Sequence, residues 1–363
     1  MTRYSEQAVA AQITAVLTAW GMPEDHIATT TEVMVHTDLS GIDSHGISML
    51  MTYERLRDGG FLKLDARPTV ERENASMALI DAGGGLGHPA AVAAMELAVE
   101  KARSTGVGVV SVHNSHHFGA AGYYAAIAAK AGLVGLVTTS ARLPSVVPTG
   151  GAVPRLTTNP IAFAAPGRNN EPFLLDMSTS TVASNKVKVY DLHGETMPEG
   201  WVTDEAGRAV TDPAEAMTYI HRREDGGLTP LGGMTSTGGH KGYGLAVMVQ
   251  ILSAALSGAD LAATRPPGAP DDIGHFFLAL DAGFLRPDGG FLDDVDELLD
   301  TLRATPPAHP DKPVLVAGDP ERAHREQRRR DGIPLPGTLI GKIASICERA
   351  QAPFLLGDPL PEN

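Results

Sequence analysis

Apolar residues at Ala8, Ile13, Val16 and Leu17 fall at helical spacing up to Gly21, and Ile27 to Leu39 reads as a second helix. In the stretch DLSGIDSHGISMLMTYERLRDGG, Asp43 or Ser44 can cap a helix from about Ile47 to Arg57, which Gly59 and Gly60 would stop. From Met77 the pattern changes. Met77 to Asp81 is a short apolar strand, Ala90 to Arg103 a helix, and Val107 to Val112 a β-branched strand. A helix ending at Lys130 and a strand from Leu133 to Thr139 follow. Ile161 to Ala164, Phe173 to Met177 and His275 to Asp281 are further expected strands, the last alternating. Residues 191–237 look polar and irregular, and GGHKGYG (Gly238 to Gly244) leads into an uncharged apolar helix ending near Ser257. Gly258 to Asp272 reads as a Pro-rich surface loop, Phe291 to Arg303 as an acidic amphipathic helix, and Val314 to Val316 as a short strand. Two closing helices are expected near Glu321 to Arg330 and Thr338 to Ala350. The pattern predicts an α/β (α+β) chain, with helical N- and C-terminal segments around a mixed-sheet middle. We expect residues 1–75 and 318–363 to form a helical domain and 76–317 a mixed α/β domain for cofactor and substrate.

Composition narrows the function. A net charge of -14 argues against nucleic acid as a partner, because phosphate neutralisation needs a basic face. The arginines of Arg322 to Arg330 are interleaved with Glu326 and flanked by Glu321 and Asp331, as on a solvated helix. Cys347 is the only cysteine, which excludes a disulfide framework and fits a reducing cytoplasm. The N-terminal residues carry no apolar core of a signal peptide. The run from Gly242 to Ala259 just reaches membrane-spanning length, but Gln250, Ser253 and Ser257 interrupt it and Lys241 and Asp260 flank it. A buried core helix, with no membrane partner, is the expectation.

The stretch SVHNSHHFGAAGYY, Ser111 to Tyr124, holds three of the thirteen histidines, where a β-branched run gives way to an Ala/Gly-rich helix. Such a junction is where side chains and backbone N–H groups converge on ligands, and imidazoles carry protons near neutral pH. His113, His116 and His117 could instead be metal ligands, although no neighbouring Cys or carboxylate completes a zinc set. Gly85, Gly87 and Ala90 satisfy G-x-G-x-x-A, yet the following strand ends in Ser111-Val112-His113 without the acid that would hold a ribose. Tight turning and close packing therefore explain those glycines better. Ser44 beside His45 suggests an oriented proton carrier. Hydroxyls in DMSTS and a lysine opening the GHKGYG helix both invite an anionic or ribose oxygen partner.

Taken in order, DSHG, NSHHFGAAGYY, TNPIAFAAP, LDMSTS, GHKGYGLAVMVQILSAALSGA and AGDPE resemble the type 2 malate/L-lactate dehydrogenase family. That family includes ureidoglycolate, sulfolactate and diketogulonate oxidoreductases and a cyclic-imine reductase, and the resemblance spans about residues 5–350. It implies an oxidoreductase using NAD(H) or NADP(H) on a small 2-hydroxy or 2-oxo acid, a homodimer, and a non-Rossmann nucleotide-binding domain without a metal. The resemblance implies that His45, with Ser44, is a proton donor and that His117 is an acid/base or cofactor contact. It puts His117, Phe118, Gly119, Asp176, Met177, Ser178, Thr179, Ser180, His240, Lys241, Gly318 and Asp319 on cofactor-binding segments. Tyr53, Thr158 and Asn159 fall at the substrate. One departure stands out: Met49 occupies the position where relatives usually carry a carboxylate-binding arginine. Arg142 or Arg155 could supply that cation, and Lys186 is a further candidate substrate contact or relay. Three alternatives follow. They are a metal-dependent lyase or hydrolase built on the three histidines, a reductase of an unusual carbonyl or imine, and a binding protein without turnover.

Overall fold

Seven strands form one mixed sheet in the computed structural model, which describes residues 1–266 and 268–360. They are β1 (Thr69–Glu73), β2 (Met77–Gly85), β3 (Val107–Ser115), β4 (Val134–Thr139), β5 (Ile161–Ala165), β6 (Phe173–Met177) and β7 (Ile273–Leu280). Their spatial order is β1-β2-β3-β7-β4-β5-β6. Only β2 and β3 run parallel; every other pairing is antiparallel. A doubly wound parallel sheet is therefore absent, and the non-Rossmann expectation holds. The late strand β7 inserts at the centre, pairing Phe277 with Val110 on one side and Val137 on the other. Its residues are buried almost throughout rather than alternating, because α4 (Gly87–Thr105) and the turn Ile251–Ala255 both pack on it.

Helices α4 and α5 (Ala121–Lys130) lie on the sheet through alanines such as Ala94, Ala98, Ala125 and Ala128. Small residues are required there. A Cβ on Gly108 would stand 1.9 Å from Ala98 O, and one on Gly135 2.6 Å from Ala125 O. A separate apolar cluster joins both ends of the chain: α1 (Glu6–Ala19), α2 (Glu24–Leu39) and α3 (Leu50–Asp58) bury Ile13, Leu17, Leu39 and Tyr53 against Ile343 and Ile346 of a C-terminal helix. The strands Thr2–Tyr4 and Ile333–Leu335 pair beside this cluster. Their three residues each are too short to give a periodic signal.

The remaining helices are α6 (Gly239–Gln250), α7 (Gly290–Arg303), α8 (Asp319–Asp331) and α9 (Gly337–Ala350), besides three shorter ones at Ser184–His193, Pro213–His221 and Ala282–Leu285. Four expectations need correction. Residues 191–237 are not irregular: two-residue strands at Val202–Thr203, Ala209–Val210 and Gly227–Leu228 pack with the helix Pro213–His221, which Asp212 caps. The charged segment Thr69–Glu73 forms an exposed edge strand. Val314 to Val316 forms no strand, because Val316 N–H is taken by the Asp319 carboxylate at 3.0 Å. The apolar helix through α6 and the π-turn Ile251–Ala255 is buried on one side only, leaving Ile251 and Leu256 56% and 57% exposed. Freedom from charge does not by itself imply burial. No helix among the described residues is long and apolar enough to cross a membrane.

Candidate active site

The loop carrying DSHG joins α2 to α3, and its shape is set by Asp38. That carboxylate, buried at the end of α2, accepts the Ile47 N–H at 2.8 Å, and burial pushes its pKa up to about 8. A Cβ on Gly46 would stand 1.8 Å from Asp38 Oδ1, so only glycine fits beneath it. Asp38, rather than Asp43 or Ser44, thus caps the following turn. Asp43 pairs with Arg328 of α8, while Ser44 Oγ lies 2.7 Å from His45 Nδ1.

His117 arrives from the other cluster. Beyond β3 the backbone is pinned to the turn between β2 and α4, with His116 N–H on Gly85 O (3.2 Å) and Gly87 N–H on His117 O (3.1 Å). His117 Nδ1 accepts from the Tyr53 hydroxyl at 2.8 Å and from the Gly119 N–H at 3.3 Å. A nitrogen that accepts a backbone N–H carries no proton, so the neutral ring bears its hydrogen on Nε2. Tyr53 is fully buried, which raises its pKa and keeps it an O–H donor. The His45 and His117 rings stand 5.2 Å apart, and neither Nε2 has a hydrogen-bond partner among the described residues. Burial lowers the pKa of both, and His45 and His88 lower that of His117 further.

Both rings line a cavity of about 170 Å³ between α3, the His116–Gly119 turn, the segment after β4 and Thr158. Met49, Arg142 and Asp271 are on its wall; Arg155 and Lys186 are not. Lys186 is exposed on the helix Ser184–His193, 5.7 Å from the Trp201 ring. Asn159 is also absent from the wall. Its backbone takes φ +38°, and its buried amide donates to Ala246 O (2.8 Å) and Gln250 Oε1 (3.1 Å), tying the TNP turn to α6. Tyr53 reaches the site only through His117.

The three clustered histidines diverge. His113 reaches Glu71 on the edge strand at 2.8 Å, His116 Nε2 bonds Phe61 O at 2.8 Å, and His117 turns to Tyr53. Among the described residues no group of three His, Cys, Asp or Glu side chains could hold a metal, which corrects the metal reading. Strand alternation up to Ser115, followed by a turn, separates the imidazoles.

The remaining segments sit as follows. Phe118 stacks between Tyr124 (4.8 Å) and His275 (4.5 Å). Asp176 accepts the Gly122 N–H in the first turn of α5 at 2.7 Å. Met177 ends β6; in the polar turn beyond it Thr179 Oγ1 donates to Asn159 O at 3.0 Å and Ser180 Oγ lies 3.0 Å from Ser178 Oγ. His240 and Lys241 are exposed in the first turn of α6, after Gly238 at φ +93°. Gly318 takes φ +100°, and Asp319 is held by Arg303 through bonds of 3.1 and 2.8 Å.

Two histidines escaped the sequence reading. His275 bridges Thr139 Oγ1 (2.6 Å) and Ser115 Oγ (3.0 Å). His88, fully buried with neither ring nitrogen bonded, meets Tyr53 edge-on at 5.8 Å. Its intrusion beside Pro89 into a glycine turn was the available signal.

Residues 4–344 match the family model described as malate/L-lactate dehydrogenase. The chain belongs to this family. It is 38% identical over 342 residues to a malate dehydrogenase of Pyrococcus abyssi, covering 93% of this chain and 92% of that one. A malate/(S)-sulfolactate dehydrogenase of Methanothermus fervidus is 36% identical over 341 residues, covering 93% and 94%. The crystal structure of malate dehydrogenase from Entamoeba histolytica superposes with a TM-score of 0.91 at 31% identity, over 97% of this chain and 99% of the other. Family membership makes the chain a 2-hydroxyacid oxidoreductase that works with a nicotinamide cofactor, and neither the lyase nor the hydrolase reading survives.

Proposed function

We propose that this chain interconverts a small 2-oxo acid and its 2-hydroxy acid, with His45 moving the proton and His117 acting as a fixed donor to the same oxygen. The observation that carries this reading is the pair of rings 5.2 Å apart on one cavity wall, each with Nδ1 occupied by a protein partner. The two partners differ in kind. Ser44 Oγ can donate or accept, so it serves either protonation state of His45. Tyr53 and Gly119 both donate to His117 Nδ1, so charging that ring would break one bond and turn the other around. His117 therefore stays neutral and offers Nε2–H to developing negative charge on the substrate oxygen. His45 gives its proton to that oxygen in reduction and takes it back in oxidation.

The surroundings fit a dinucleotide. Gly238 opens the N-terminal end of α6, where the Gly239, Lys241 and Gly242 N–H groups are bonded within the protein, and the exposed His240 and Lys241 side chains stand at this positive end of the helix, where an anion such as a diphosphate is favoured. The Ser178–Ser180 turn lies alongside, since Thr179 O accepts the Leu231 N–H at 2.8 Å and Leu231 O the Gly242 N–H at 3.1 Å, and a nicotinamide dinucleotide held by these segments would supply or accept the hydride at the substrate's second carbon.

The test is oxidation of NADH and NADPH across a panel of 2-oxo acids, which also identifies the preferred dinucleotide. Positioned proton transfer contributes roughly 10²–10⁴-fold, so His45→Gln should lower kcat by that order. If neither His45→Gln nor His117→Gln lowers turnover about tenfold, the assignment fails.

A homodimer is part of the same proposal. It is supported by the exposed apolar side chains of Met248, Ile251 and Leu256 along one side of α6 and its π-turn. We also infer a division into residues 1–75 with 318–363 and residues 76–317, supported by the separate apolar clusters of the terminal helices and the sheet. A single buried thiol at Cys347 is consistent with a reducing cytoplasm.

A further inference from the structure

The cavity wall holds a charge imbalance. Asp271 is sealed inside the loop before β7, its side chain 2% exposed. Two guanidinium groups meet it: Arg142 Nε lies 2.6 Å from Oδ2, and Arg265 Nη1 pairs with Oδ1. Arg265 is itself nearly buried, and its Nη2 also donates to the Arg142 carbonyl at 3.4 Å. His116 Nδ1 stands 3.8 Å from Asp271, but burial lowers its pKa, so at neutral pH it adds no charge. Two cations against one carboxylate leave a surplus positive charge, carried by Arg142, whose side chain is 33% exposed and can meet an anion in the cavity.

That surplus is open on one side. Arg142 lines the cavity with Nη1 and Nη2 unbonded among the described residues, while its Nε is fixed on Asp271. An anchored guanidinium with two parallel N–H groups to spare matches the planar fork of a carboxylate. The rest of the wall offers nothing similar. Among the described residues Arg142 is the only Arg or Lys on it; Thr52, Thr139, Ser140 and Thr158 are neutral, and Met49, Leu56, Phe118 and Ile273 are apolar.

Resting on the function proposed above, we infer that Arg142, locked by Asp271 and Arg265, takes the substrate carboxylate. We further infer that the site prefers 2-oxo monocarboxylates with an apolar chain over doubly anionic acids. A second acidic group would be left against apolar side chains and beside the Asp271 carboxylate. This separates the chain from relatives named for malate and sulfolactate, both of which carry two acidic groups.

The experiment compares kcat/KM for pyruvate and 2-oxobutyrate with that for oxaloacetate and sulfopyruvate, in the full chain and its variants. The monocarboxylates should lead by about tenfold or more, the value of one charged hydrogen-bonding group. Arg142→Met should raise KM for pyruvate by roughly 10–100-fold while leaving methyl pyruvate, which has no charge to lose, within about twofold. Arg142→Lys should recover part of the loss. Met49→Arg leaves the Arg142 cluster intact and carries the test if Arg142→Met does not fold; it should raise kcat/KM for oxaloacetate by about tenfold relative to pyruvate. A wild-type preference for oxaloacetate or sulfopyruvate overturns the inference, as does an Arg142→Met variant that weakens acid and ester alike. Calorimetric binding of oxamate keeps this outcome separate from failure of the proposed function. If no 2-oxo acid turns over, loss of oxamate binding in Arg142→Met still supports the clamp, and retained binding refutes it.

Discussion

Tyr53→Phe isolates the device that fixes His117. The substitution removes one oxygen from a fully buried side chain and leaves the aromatic contacts with His88 and His117 in place. What disappears is the 2.8 Å O–H···N bond, leaving Nδ1 with only the Gly119 N–H at 3.3 Å. A buried hydrogen bond contributes about 0.5–1.5 kcal/mol net, and leaving an acceptor short of its donor costs about 1–3 kcal/mol. At about 1.4 kcal/mol per factor of ten, those energies shift the balance between the two neutral tautomers by roughly 10–100-fold at most, and kcat should fall by about that factor. KM should change little, because Tyr53 is not on the cavity wall. Steady-state kinetics in both directions give the rate loss. Nitrogen-15 NMR of labelled His117 gives the tautomer, which should carry its hydrogen on Nε2 in the parent protein and become mixed in the variant. A parent ring protonated on Nδ1, or a Tyr53→Phe enzyme with kcat within about twofold of the parent, would refute the fixed-donor role.

Two further predictions follow from the same geometry. Burial holds the His45 pKa below the usual 6.5, and oxidation of the hydroxy acid needs the neutral ring. Its kcat/KM should therefore rise with pH through that lowered pKa and level off above it, whereas reduction, which uses the protonated ring, should decline over the same window; a rise centred above pH 7 would contradict the assignment. Gly46→Ala places a methyl group 1.8 Å from Asp38 Oδ1, so the Ile47 cap must open and His45 must move. A displacement of this kind costs about 10²-fold in rate, and both kcat and thermal midpoint should drop together.

The sequence was most informative where one helix or strand is long enough for its period to be counted. The helices Glu6–Ala19 and Glu24–Leu39 were legible for that reason. The two-residue strands near Trp201 were not, because two residues have no period. Asp271 was lost differently: it lies in a Pro-rich stretch that composition assigns to the surface, yet Arg142, 129 positions away, and Arg265 of the same stretch enclose it. At the site, motif order points to His45 and His117, which stand 5.2 Å apart on one cavity wall, but it does not divide the proposed labour between them. That proposed division depends on the partner of each Nδ1, and Tyr53 is separated from His117 by 64 positions. Asn159 shows the opposite failure, since a polar residue in a pocket motif was read as a substrate contact although its amide is spent on α6.

The glycines of the G-x-G-x-x-A match explain why the half-site at His117 needs the strand-helix turn before α4. In a dinucleotide loop such glycines bring backbone toward a diphosphate. Here they bring backbone toward backbone. Gly85 offers its carbonyl to His116 N–H and Gly87 gives its N–H to the His117 carbonyl, so the imidazole-bearing segment is clasped from both sides. A Cβ on Gly87 would stand 2.4 Å from His116 O and 2.7 Å from Phe118 Cβ, forcing the segment away from the turn. The next residue, His88, closes the edge of Tyr53, which in turn holds His117. The turn thus does for the sheet side what Asp38 and Gly46 do for the helical side: each uses a glycine to let an irregular backbone approach within contact distance, and each sets one imidazole. With both rings placed by backbone packing, the 5.2 Å spacing between them follows from how the terminal helices seat on the sheet rather than from any bond between the rings themselves.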